Sequence, residues 1–334
     1  MKRGMALGIG GLLLAALMIL AASPAAAQEA VRSLQEMIDS NRDALSGCPA
    51  GPYGDHRVLL NQNGSVDSYD SSVAPYNPNN PGDHAVVGSN CDPNDATAGV
   101  KLEENSTVLG HIEVTAADKI DLAANCTVTH EELNLDNAPS WELKPIDQPA
   151  WYTVAGGSPQ GTIIGQYGTK PGTYNISNHV FQAGNAAELT FAPGQYHFDH
   201  FELRQNVKFN VGTGAGIVEI YVSGSITFEN NSELLPEIAL VDDATRLRIY
   251  YSGTNTVDLS NNVTFYGFLY APNALIEVKN NDQIYGNLVG KDVKIWNNGA
   301  VHYDEALGQQ DFSSILGPPL PPPLRLTWRE TVFE

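Results

Sequence analysis

Basic residues are scarce in this sequence. Lys and Arg number 18 against 38 Asp and Glu, a formal net charge of −20 over 334 residues. A surface of that sign repels a phosphate backbone, which argues against a nucleic-acid partner. It suits solubility, with incidental Ca2+ binding as the only cofactor relation it suggests. Cysteine is rare too: Cys48, Cys91 and Cys126. An odd count leaves one thiol unpaired or bridging to another chain. Cys48 and Cys91 lie in turn-rich segments and are the expected disulfide pair; Cys126 reads as a small buried residue. No Gly-x-Ser-x-Gly elbow occurs, and GTGAG at 212–216 lacks the strand-to-helix setting of a phosphate loop. After the first apolar run, no second one reaches membrane-spanning length.

That first run has the pattern of a secretory signal. Lys2 and Arg3 precede an apolar stretch from Ala6 to Ala22, and Ala25-Ala26-Ala27 supplies a small-residue cleavage site before Gln28. Residues 1–27 are therefore expected to be a signal peptide, and the protein to be exported to the periplasm, the cell surface or the medium. Residues 28–47 are expected to form an amphipathic helix, with Val31, Leu34, Ile38 and Leu45 on one face and Gly47 at its end. A β-domain should fill 48–316, interrupted by an insertion at about 135–195. A polyproline linker, 317–323, leads to a C-terminal strand, 324–334, in which Leu324, Leu326 and Trp328 alternate with polar residues.

Seven nine-residue windows share one pattern: apolar, any, apolar, two of any type, Asn, two of any type, apolar. They centre on Asn105, Asn125, Asn206, Asn231, Asn262, Asn281 and Asn298. The first apolar pair puts two side chains on one face of a short strand. Asn then turns the chain, because it tolerates left-handed backbone angles. The pattern predicts a parallel β-helix (β-solenoid) in which these residues form a structural Asn ladder from coil to coil.

The segments FAPGQYHF, GIVEIYVSGSITFENNSEL, the YAPNA…HYDEAL stretch, the terminal WRE and VDSYDSSVAPY at 66–76 resemble a bacterial domain of unknown function. It is found in exported proteins, many of them PilX-like and associated with type IV pili. The resemblance implies a right-handed β-helix and no catalytic residues. The chain departs from pilus members in lacking a prepilin-type Phe-x-x-x-Glu start.

Several polar groups are candidates for chemistry. His197, Asp199 and His200 have metal-ligand character, but strand alternation puts His197 and Asp199 on one face and His200 on the other. No metal site is therefore assigned. His302, Tyr303 and Asp304 are expected to form a C-terminal cap over the last coil. Asp242 and Asp243, with Arg246 and Arg248, suggest the carboxylate clusters of pectin-degrading enzymes. The leading expectation is a non-catalytic cell-surface or pilus-associated scaffold or adhesion protein with envelope proteins, pilus proteins or surface glycans as partners. The alternatives are a secreted polysaccharide lyase or hydrolase of β-helix type, and a filament subunit self-associating through the C-terminal strand.

Overall fold

A computed structural model describes residues 49–91, 94–97, 99–115, 119–130, 132–133, 141–154, 160–212, 216–236 and 243–317. The expected signal peptide, the 28–47 helix, the C-terminal strand and all of the linker but Gly317 lie outside the described residues.

The described chain is all-β: twenty-two strands in one sheet, with two short 3-10 helices. Alternation sets the inward face. In β4 (Gly99–Leu102), Val100 and Leu102 point inward and Lys101 outward. Asparagine makes the turns. Asn105, Asn206, Asn231, Asn262, Asn281 and Asn298 have φ between 56° and 66°, the left-handed region that Asn enters at little cost. Inside lies a run of aromatic rings. Phe181, Phe191, Phe198, Phe201, Phe209, Phe228 and Phe265 are each at most 1 % exposed, and each contributes about 2–3 kcal/mol of apolar burial. Glycine lets neighbouring strands meet closely at one corner: a Cβ on Gly286 (φ 138°) would sit 1.9 Å from the carbonyl oxygen of Gly267.

The strand pairing corrects the expected right-handed parallel β-helix of successive coils. β16 (Val218–Phe228) pairs with β18 (Leu247–Tyr251), β18 with β20 (Thr264–Val278), β20 with β19 (Val257–Leu259), and β19 again with β16. The pairings thus close a four-strand barrel, to which the other strands are added. The cause is strand length. β16 has 11 residues and β20 has 15, and each runs past one face and continues onto the next. Its two halves then meet different neighbours. Register shifts mark the bends, at Phe198/His200 in β14 (Gly194–Leu203) and at Ala271/Leu275 in β20.

Spatial order also differs from chain order. β1 (Tyr53–Leu60) lies between β21 (Gln283–Ile295) and β4. β2 (Ser65–Tyr69) lies between β22 (Ala300–Asp304) and β5 (Thr107–Val108). The last described strand is therefore internal to the sheet: all five residues of β22, the expected cap residues His302, Tyr303 and Asp304 among them, are buried, with β2 on one side and β21 on the other. Part of the expected 135–195 insertion belongs to the sheet. β12 (Val180–Ala183) and β13 (Glu188–Phe191) run parallel and in register with β14 and with β15 (Lys208–Val211).

Candidate functional site

The strongest polar cluster lies where β2 and β22 meet. It joins two segments far apart in the chain, VDSYDSSVAPY and the HYDEAL stretch. Their parallel register sets Asp67 opposite His302 and Tyr69 opposite Asp304. His302 Nδ1 is 2.6 Å from Asp67 Oδ1, and its Nε2 is 3.0 Å from Gln283 Oε1. The Gln283 amide nitrogen donates to the Asp282 carbonyl at 3.1 Å. Tyr76 donates its hydroxyl to Asp67 Oδ2 at 2.8 Å, and its ring lies 4.1 Å from the His302 ring. Burial, reinforced by the Asp67 charge, pushes the Tyr76 phenol well above its ordinary range, so Tyr76 remains a donor. Tyr285 and Tyr266 continue the column, their rings stacked at 4.3 Å and 7°.

Asp304 ties a second set of segments together. Its carboxylate accepts from Ser71 N and Oγ, from Ala306 N and from Ala244 N, at 2.7–3.1 Å. Burial raises its carboxyl and these hydrogen bonds oppose the rise. Glu305 Oε1 accepts from Ser68 Oγ at 3.0 Å and lies 2.9 Å from His84 Nδ1.

An Asp–His pair is the arrangement that orients an imidazole for general-base work. Here Gln283 occupies the other ring nitrogen and Tyr76 covers the ring face. His302 is only 5 % exposed. The geometry locks the two ends of the folded chain together.

The Asn ladder residues fall into line. Nδ2-to-Oδ1 bonds of 3.0–3.3 Å run from Asn63 to Asn298, then to Asn281, Asn262, Asn231 and Asn206, and a bond of 2.9 Å runs from Asn125 to Asn105. Asn63 is a member that the seven windows omit. Its segment VLLNQNGSV, 58–66, has the same pattern, and that was the signal for it. A second file bonds Asn261 to Asn230 and Asn297 to Asn280.

Other sequence candidates are dispersed. His197 donates its Nδ1–H to the Pro149 carbonyl, 2.7 Å away, stacks on Trp151 at 3.8 Å, and is pushed down by burial. The bulge after Phe198 breaks the expected alternation and brings Asp199 to 3.3 Å from His200. Among the described residues no group of three His, Cys, Asp or Glu is placed to hold a metal. Asp243 caps the 3-10 helix Ala244–Arg246 by accepting from Thr245 N at 2.9 Å; Asp242 lies outside the described residues. Arg246 donates to the carbonyls of Gly216 and Gly212, and Arg248 stacks on Phe312 at 4.5 Å. The described members of the suggested carboxylate–arginine cluster are thus a helix cap, a donor to two carbonyls and a ring-stacked guanidinium. Cys91 carries a free, buried thiol; Cys48, its expected partner, lies outside the described residues.

Two further titratable groups carried no pattern of their own. His56 lies between Asp292 (2.7 Å) and Asp95 (3.0 Å) at the bend of β1, and the hydrogen bond to Asp292 is the main cause that raises it. Asp282 is fully buried and accepts from Val263 N and Lys279 N. Burial pushes its carboxyl up to about 7. The slot after the ladder Asn is held elsewhere by Gly64, Ser106, Cys126, Val207, Ser232, Val263 and Gly299; an acid among these uncharged residues is the available signal.

Residues 211–310, under a third of the chain, match the family described as "Domain of unknown function (DUF7305)". The match takes in the four-strand barrel and His302, and stops short of Asp67 and Tyr76. No curated protein and no solved structure matches the chain.

Proposed function

We propose that this chain is an exported, non-catalytic scaffold that presents rigid faces to envelope or pilus proteins or to surface glycans. One observation carries the reading. The groups best suited to chemistry, Asp67, His302, Asp304 and Asp282, are buried and spent on bonds that hold strands to one another. Such bonding yields a stiff body rather than a reactive cleft. The leader-like residues 1–27 and the resemblance to pilus-associated proteins support the placement outside the cytoplasm. In vivo cross-linking of a tagged full chain, followed by cell fractionation, tests this. Stoichiometric cross-links to envelope or pilus components, retained in an Asp67→Asn variant that still folds, are the expected result. Turnover of an acidic polysaccharide by the purified protein, abolished by Asp67→Asn or His302→Gln, would overturn it.

A further inference from the structure

One joint in the sheet unites strands that the chain keeps far apart. β1 lies on β21 and β2 on β22, and the side chains that bridge them are 235 and 236 residues apart. β14 with β16, and β20 with β21, are by contrast close in the chain. The long closure makes this joint costlier in chain entropy, and so the natural place for the sheet to open first.

Two histidines cross the joint, and their hydrogen-bond partners fix their protons. The Gln283 side chain points its amide nitrogen at the Asp282 carbonyl, 3.1 Å away. Its oxygen then faces His302 Nε2 at 3.0 Å, and an amide oxygen only accepts. Across the ring, Asp67 Oδ1 lies 2.6 Å from Nδ1, while Oδ2 already accepts from Tyr76. Both ring nitrogens thus meet acceptors. The pair satisfies every bond only with one proton on Nε2 and another between Nδ1 and Oδ1. Losing the Nε2 proton sets a lone pair against the Gln283 oxygen and leaves a buried carboxylate without its counter-charge. The other titratable groups on this ring are the phenols of Tyr76 and Tyr285, which supply no positive charge.

His56 repeats the arrangement on the β1 side. It sits in the bulge where the ladder to β21 is interrupted between Gly54 and Arg57. Its Nδ1 is 2.7 Å from Asp292 Oδ1, and its Nε2 is 3.0 Å from Asp95 Oδ2. Two carboxylates again call for two ring protons, and the bond to Asp292 raises this histidine. The cations nearby are Arg57, with Nε 3.7 Å from Asp292 Oδ1, and Lys119, which donates to the Asp95 backbone carbonyl at 2.8 Å.

We propose that this joint is a proton-operated latch: His56 and His302, each doubly protonated, fasten β1 and β2 to β21 and β22, and the joint loosens locally as those protons leave above neutral pH. The fastening is complete below the pKa of the open joint and is lost as pH rises through that of the closed one. Between the two, opening releases protons. The opening equilibrium therefore climbs about tenfold per pH unit for each histidine involved.

Hydrogen exchange of the full chain, read by mass spectrometry and corrected for the intrinsic effect of pH, tests the latch. From about pH 6.5 to 8.5, protection in β1, β2 and β22 is expected to fall at least about tenfold. β14 and β16 should keep theirs. His56→Gln and His302→Gln should each flatten the pH dependence, and His200→Gln, at a half-exposed ring outside the joint, should leave it intact. An equal loss in β14 and β16 would overturn the proposal, as would undiminished pH dependence in the His56→Gln, His302→Gln double variant. Nitrogen-15 NMR of the histidine-labelled parent protein needs no variant to fold. Two rings should stay doubly protonated at about pH 7.5, where ordinary histidines are neutral; eight neutral rings would overturn the latch outright.

Discussion

Ala186 tests the turn chemistry in a single position. Its φ is 57°, and its N–H donates to the Gln205 carbonyl at 2.9 Å. The same bond recurs from Asn206 to Asn230, Asn231 to Asn261, Asn262 to Asn280, Asn281 to Asn297 and Asn298 to Gln62. The backbone at 186 is thus that of a ladder asparagine, while the side chain is a methyl group exposed to solvent. Left-handed alanine costs about 1 kcal/mol more than asparagine. In Ala186→Asn the new amide also lies beside Asn206, now the last ladder member, and a solvent-exposed bond there adds about 0.5 kcal/mol. The expected gain is about 1.5 kcal/mol, a rise in Tm of about 3 °C for a domain of this size. Ala186→Gly relieves the same strain but loosens the unfolded chain, and should gain about 0.5 kcal/mol. Asn262→Ala is the mirror experiment. It installs alanine at φ 56° and removes the bonds to Asn231 and Asn281, for a loss of about 2 kcal/mol. Differential scanning calorimetry gives all three. A neutral or destabilising Ala186→Asn beside a costly Asn262→Ala would refute the strain argument.

Three further outcomes follow from the packing. Asp282, whose carboxyl is raised to about 7, and His56, raised chiefly by Asp292, hold protons that the unfolded chain releases at lower pH; both contributions are complete below the unfolded pKa and are lost as pH rises through the folded one. Chemical denaturation from pH 4 to 8 should therefore show Asp282→Asn gaining on the parent by up to about 4 kcal/mol at the alkaline end, and a constant difference would refute the assignment. Asp67→Ala removes the hydrogen bonds to the buried Nδ1 of His302 and to the Tyr76 hydroxyl, a loss of about 3 kcal/mol, and a double-mutant cycle with His302→Gln should show strong coupling. Gly286→Ala drives a methyl into the Gly267 carbonyl and should cost at least about 3 kcal/mol, read as a Tm lower by about 6 °C or as insoluble protein.

Local chemistry made much of the structure legible. VKLEENSTV and IEVKNNDQI each carry an alternating strand and an asparagine turn within nine residues, and both form them. The same reasoning failed where a strand outran its face. Nothing in YGFLYAPNALIEV announces that β20 bends at Ala271/Leu275 and so pairs with β18 by one half and β19 by the other. The candidate site was hidden for a related reason. HYDEAL stood out, but as an end cap, because Asp67 lies 235 residues from His302.

By itself the sequence determined the all-β character, the turn positions and the asparagines that bond across them, since alternation and left-handed turns depend on a few neighbouring residues. Only the tertiary structure decided which edge meets which. Every parallel strand offers the same row of backbone donors and acceptors, so pairing β2 with β22 rather than leaving both exposed is selected by the packing of Asp67, Tyr76, Gln283 and His302 across that joint.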